Sequence, residues 1–211
     1  MKNSKYLYLI DYGHGGLIDG IYQTGGKRSP KFTDRFFPDG TPYVFYEGVN
    51  NRDNGNRLMK ALKCLNIDYI DLVNTNEDMR LLTRVSRANN LNTKRPCIYI
   101  SIHTNAHGNG SEFTTAKGNS VHISTNASSK SHKFAELLEE EFKTEYKDLT
   151  RWRGVKENDF YVLKKTNCPA VLLETGFMTN KEETLLMLSE DWKDRFVNSV
   201  INAIQLFEID N

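Results

Sequence analysis

No stretch of this sequence approaches the roughly 18 consecutive apolar residues that a membrane-spanning helix needs, which excludes a helical membrane protein. Charge of one sign is missing too. The 28 Lys and Arg nearly cancel the 27 Asp and Glu, for a formal net charge of +1. No overall field would hold the chain to nucleic acid or to an anionic bilayer, and neither is expected as a partner. Cysteine is scarce: Cys64, Cys97 and Cys168 form an odd, widely spaced set that fits neither a disulfide framework nor a CxxC metal knuckle. All three are expected to be small buried hydrophobes, as free cysteines usually are. The apolar run near the N-terminus stops at Asp11, too short for the core of a secretory signal, so nothing there directs export. Internal repeats, low-complexity tracts and interdomain linkers are absent from the sequence as well.

What is present suffices for one domain. A chain of 211 residues, 38% hydrophobic and 26% charged, can bury a substantial core. Short apolar runs alternate with segments of helical period, the pattern of an α/β layer fold. Strands are expected at residues 6–10, 69–73, 97–102, 121–124 and 170–173. The runs starting at Cys97 and Ala170 are almost continuously apolar, as strands covered on both faces are, so these two should be central. Helices fit residues 51–65 (stripe Leu58, Leu62, Leu65), 79–90 (Leu81, Val85, Ala88), 131–146 (Phe134, Leu138, Phe142) and 192–207 (Val197, Val200, Ile201, Ile204). The expected architecture is a single α/β domain over residues 1–211, with a central mixed, mostly parallel sheet flanked by helices on both faces. Residues 17–45 and 107–119 lack a period and are rich in Gly, Pro, Asn or Thr, so both are expected as loops.

Three segments put a metal-binding or acidic side chain at the end of an expected strand: DYGHGG at 11–16, SIHTN at 101–105 and LETG at 173–176. In an open α/β sheet the carboxyl ends of the strands are where ligands collect, so these side chains should converge. Gly15 and Gly16 after His14 permit a sharp turn and close backbone approach. A hydrolytic zinc takes three protein ligands of the His/His/Glu kind and leaves one position to water, whose pKa falls to about 7. His14 and His103 supply two. For the third, Glu47 at the head of a helix competes with Asp11, Asp19 and Glu112, and residue type and spacing do not choose among them.

The strings DYGHGG (11–16), YEG (46–48), RVSRAN (84–89), SIHTNA (101–106) and PAVLLETGFMTN (169–180), in that order, resemble the successive motifs of the amidase-3 family of N-acetylmuramoyl-L-alanine amidases. The resemblance runs from about Tyr6 to Phe207. Position by position it implies that His14, Glu47 and His103 hold zinc, that Glu174 is the catalytic acid/base, and that Arg84 is a structural donor tying a helix to the strands of the site. The chain departs from the pattern at Tyr12, where the family commonly has proline, and in the separation of His14 from Glu47, wider than the family's usual connection.

Because residues 25–43 connect two implied ligands, that loop should leave and return beside the cleft and form its wall. Its Lys27, Arg28 and Arg35 offer cations for stem-peptide carboxylates, and Phe32, Phe36 and Phe37 offer aromatic faces. His107 is expected at the polar rim, in contact with substrate; His122 and His132 are expected on a strand face and at a helix start. The implied activity is zinc-dependent hydrolysis of the amide joining N-acetylmuramic acid to L-alanine in peptidoglycan. The expected protein is a monomer without a separate cell-wall-binding domain, made in the cytoplasm of a phage host and acting on the wall after release. Two rivals remain: a zinc peptidase cutting another amide of the stem, and a non-catalytic peptidoglycan-binding or activator module.

Overall fold

In chain order the elements are β1 (Leu7–Tyr12), β2 (Leu17–Ile18), β3 (Ile21–Tyr22), α1 (Glu47–Cys64), β4 (Tyr69–Asp71), α2 (Leu81–Asn92) and β5 (Cys97–Asn105). There follow β6 (Asn119–Ile123), α3 (Ser129–Glu145), β7 (Trp152–Glu157), α4 (Tyr161–Lys165), β8 (Ala170–Phe177), α5 (Lys181–Met187) and α6 (Glu190–Asp210). They come from a computed structural model, which describes residues 4–210. Six strands form one sheet in the order β4-β1-β5-β8-β6-β7, and β2 and β3 form a small separate hairpin. β4, β1, β5 and β8 run parallel, while β6 pairs antiparallel to β8 and parallel to β7. The sheet is therefore mixed and mostly parallel, with β5 and β8 at its centre as their apolar runs require.

Alternation along the central strands divides the core in two. Ile10 and Tyr12 of β1, Ile100 and Ile102 of β5, and Val171 and Leu173 of β8 enter the larger cluster, with Leu58 of α1, Phe134 of α3 and Phe196 of α6. The intervening residues Leu9, Tyr99 and Leu172 enter the smaller cluster, with Val85 of α2 and Val162 of α4. Each fully buried side chain of this size contributes about 1.5–3 kcal/mol. The second layer is thin, since α2 has 12 residues and α4 only 5. It covers the lower part of its face and leaves the carboxyl ends of the central strands open. Asp11, Ser101, His103 and Glu174 continue the same alternation as Leu9, Tyr99 and Leu172, so they lie on that face, Asp11 and Ser101 buried beside Arg84 of α2 and His103 and Glu174 lining the open cleft. A one-residue slip of register would turn all four into the larger apolar cluster.

Several elements differ from the sequence expectation. β1, β5 and β8 run on through the polar motif residues, so His103 and Glu174 lie within strands rather than beyond them. α1 begins at Glu47, not residue 51, because its first turns bury Asn50, Asn51 and Asn54 and carry no apolar period. β7, α4 and α5 are additional elements; β7 is an edge strand whose alternation is broken by Gly154 at φ +93°. Cys97 and Cys168 are buried, but Cys64, the last residue of α1, is exposed, contrary to expectation. Leu81 leaves the expected stripe of its helix: Val85 and Ala88 are buried, whereas Leu81 is 52% exposed.

Candidate metal centre

The chain leaves β1 with Gly13 N still donating to Ile102 O (2.9 Å) and turns at His14, a left-handed residue at φ +67°. A non-glycine residue in that region is costly, and the surroundings hold it there. Buried Arg52 donates from one amino group to His14 O (2.7 Å) and Gly48 O (3.0 Å), and from Nε and the other amino group to Thr75 O. Close approach demands glycine twice. A Cβ on Gly48 would lie 1.9 Å from Gly15 O, and one on Gly13 would lie 2.0 Å from Cε1 of His103. Glu47, the first residue of α1, is anchored by its N–H to Lys27 O (3.0 Å) and is buried.

These constraints bring three donor groups together. His14 Nε2 lies 3.3 Å from Glu47 Oε2, and His103 Nδ1 lies 3.2 Å from Glu47 Oε1. The Thr104 N–H donates to the same Oε1 (3.1 Å), and the two imidazoles meet edge to face at a centroid distance of 5.2 Å. One ligand atom from each of the three residues lies within 4.8 Å of the others, the one such group among the described residues. Burial alone would raise the Glu47 carboxyl, but the hydrogen bonds and charges of His103 and His14 hold it well below the usual carboxylate range. Burial pulls the His103 imidazole down, and Glu47 outweighs this and raises it. Two imidazoles and a buried carboxylate with converging donors are a suitable set for zinc.

The competing carboxylates lie elsewhere. Asp19 and Glu112 are exposed. Asp11 is buried, but it accepts from Arg84 (2.5 Å) and from Ser101 Oγ (2.5 Å). Arg84 also donates to Tyr12 O (2.7 Å) and, through Nε, to Met79 O (2.9 Å), so it ties α2 to β1.

Glu174 is the register partner of His103 on the neighbouring strand. Its Oε2 is buried without a hydrogen-bond partner among the described residues. Burial, reinforced by the charge of Glu47 and opposed by His103, Lys27 and Lys156, pushes its carboxyl up to about 8. It stands in a cleft of about 430 Å³ shared with His14, Glu47, His103 and Lys27.

The expected wall is limited to one residue of the long loop, and its cations are not equivalent. Lys27 lines the cavity. Arg28 donates to Ser29 O (2.8 Å), Arg35 lies over the Tyr43 ring at 4.6 Å, and His107 is held by its backbone N–H on Thr179 Oγ1 (2.9 Å). Sequence reasoning missed the opposite lip, where Leu81, Phe160 and Tyr161 line the cleft. Phe160 and Tyr161 are each 39% exposed, and their one sequence signal was an apolar pair at the head of a short helix. His122 is buried elsewhere, with Asn158 Nδ2 2.8 Å from its Nδ1 and Ser120 Oγ 3.0 Å from its Nε2.

Comparison with known proteins gives a consistent result. A family model described as N-acetylmuramoyl-L-alanine amidase matches residues 9–206. The endolysin of Bacillus phage SPP1 is 30% identical over 203 residues, covering 93% of this chain and 62% of that protein. The crystal structure of an N-acetylmuramoyl-L-alanine amidase from Clostridium difficile 630 superposes with a TM-score of 0.77 at 26% identity, covering 99% of this chain and 98% of that one. The catalytic domain of CwlV, an amidase from Bacillus (Paenibacillus) polymyxa, has the same fold, with a TM-score of 0.73 over 97% of this chain and 98% of that one at 24% identity. The chain spans between 30% and 63% of the length of the curated relatives it matches.

Proposed function

Because this chain belongs to the N-acetylmuramoyl-L-alanine amidase family, we propose that it hydrolyses the amide between N-acetylmuramic acid and L-alanine in peptidoglycan, using zinc. The observation that carries this reading is the convergence of His14, Glu47 and His103 beside the buried carboxyl of Glu174. Residues 1–211 act as one catalytic unit and as a monomer. Likeness to a phage endolysin over 93% of the chain supports a lytic role, with synthesis in a host cytoplasm and action on the wall after release.

His14, Glu47 and His103 would hold the metal, which supplies Lewis-acid polarisation of the carbonyl and a water with a pKa of about 7. The remaining work falls to the protein. Glu174, whose carboxyl stands in the cleft beside the three ligand residues, accepts a proton from the attacking water and returns it to the departing alanine nitrogen. Thr104 N–H fixes the Glu47 carboxylate by donating to Oε1. Leu81, Phe160 and Tyr161 pack on the sugar or peptide and exclude water, and Lys27, which lines the cleft, holds a polar group of the substrate.

The test is metal analysis of the purified protein together with mass spectrometry of digested sacculi. Zinc in the protein and a free lactyl carboxyl with a new alanine N-terminus in the digest are expected. Intact muramoyl-alanine bonds with cuts further along the stem would replace this reading with a peptidase. Glu174→Ala should keep the metal and lose about a hundred- to ten-thousand-fold in kcat, the range of a general acid/base.

A further inference from the structure

Edge strand β7 carries charge that the chemistry above does not use. Arg151, Arg153 and Lys156 have no carboxylate partner in an ion pair among the described residues. Lys156 pairs in register with His122, and His122 with Leu172. Leu172 and Glu174 both line the cleft. Paired residues share a face, so Lys156 rises on the same side of the sheet as Glu174, about 10 Å to the side across two strand spacings. Arg153 lies over the ring of Phe177 at 4.9 Å, close beyond Glu174 on β8, and donates to Lys117 O (3.1 Å). Its Nε is buried and has no acceptor among the described residues.

Two half-buried cations side by side at the margin of the cleft, one with an orphaned N–H, are unfavourable alone and become favourable when an anion pairs with them. Burial and the charges of Arg153 and Arg151 push the Lys156 ammonium down, while Glu174 opposes this. The proposed substrate has its anions on one side only. The lactyl carboxyl of the sugar is consumed in the scissile amide, so free carboxylates belong to the peptide stem. Resting on the amidase reading of the cleft, we propose that Arg153 and Lys156 form a carboxylate subsite. It binds the first acidic group after the alanine and sets the stem along β7.

The experiment uses two soluble muramoyl peptides, identical except that the carboxyl next along the stem from the alanine is free in one and amidated in the other. The wild-type protein should show a KM about tenfold lower for the free carboxylate, as expected of a partly solvated charge-assisted contact. Lys156→Met keeps the aliphatic stem and should erase the KM difference between the two compounds while metal content stays constant; Lys156→Arg should restore it. Equal KM values in the wild-type protein, or an equal loss for both compounds in Lys156→Met, would overturn the subsite. Cleavage without preference sinks the subsite and leaves the amidase reading standing. If neither compound is cleaved, the amidase reading fails and calorimetric titration of the same pair decides the subsite. A carboxylate preference abolished in Lys156→Met sustains it, and equal affinities refute it.

Discussion

Replacing Gly13 by alanine isolates the contribution of His103 to the metal centre. The new Cβ would meet His103 at 2.0 Å from Cε1, 2.4 Å from Nδ1 and 2.5 Å from Nε2, so it strikes the ring itself. To reach ordinary contact at 3.4 Å the imidazole must retreat by about 1.4 Å. A zinc site tolerates only about 0.2 Å of change in a ligand distance, so the ring cannot both clear the methyl and coordinate. Gly13 has no positive φ, and alanine adds no backbone strain there. Overpacking of this kind costs about 1–3 kcal/mol, a fall in Tm of about 2–12 °C for a domain of this size. Metal affinity should fall further, by more than the roughly 10–100-fold typical of losing an outer-shell contact. The assay is chelator competition for zinc, with thermal unfolding of the metal-free protein measured in parallel. Gly25→Ala, at a site with nothing within 4 Å, is the control and should match the wild-type protein in both. Wild-type zinc affinity in Gly13→Ala would refute the assignment of His103 as a ligand.

Arg84→Met strands the buried Asp11 carboxylate and should lower stability by about 3–5 kcal/mol, with Arg84→Met/Asp11→Asn recovering much of it; urea denaturation of the four cycle members checks this, and strict additivity would deny the pair. His122 is held neutral, its pKa depressed from 6.5 to about 4 by burial and by Lys156. The unfolded chain therefore takes up a proton before the folded one, so stability is lost as pH falls from about 6.5 towards 4. The loss in stability between pH 7 and 4.5 should be smaller by about 2 kcal/mol in His122→Gln than in the wild-type protein; identical losses would show that His122 titrates freely. Replacing Lys27, Arg28 and Arg35 together by alanine should raise KM on a muropeptide while bound zinc stays constant, with Lys27 alone accounting for most of the change because it lines the cleft. Loss of zinc in that variant would mean that the loop shapes the metal centre instead.

The sequence by itself determined the layered α/β class, the central place of β5 and β8, and the convergence of His14, His103 and Glu174, because each is written in local pattern. Continuous apolar runs mark doubly covered strands, and polar residues at the ends of such runs have an open edge to face. Family resemblance then singled out Glu47. Only the tertiary structure shows physically why Asp11, Asp19 and Glu112 are not equivalent to it: Asp11 is engaged by Arg84 and Ser101, and the other two face solvent. The first turn of α1 fell outside the expected period over residues 51–65 because Asn50, Asn51 and Asn54 are the buried residues there, where a hydrophobic period would normally announce the buried face. The short lip helix α4 and the edge strand β7 were equally hidden, one too short for a period and the other broken by Gly154. The cations of β7, without a carboxylate ion-pair partner among the described residues, were invisible for a related reason. Charge is legible along a chain, but whether it has a partner depends on strands that meet across the sheet, β7 with β6 and β6 with β8.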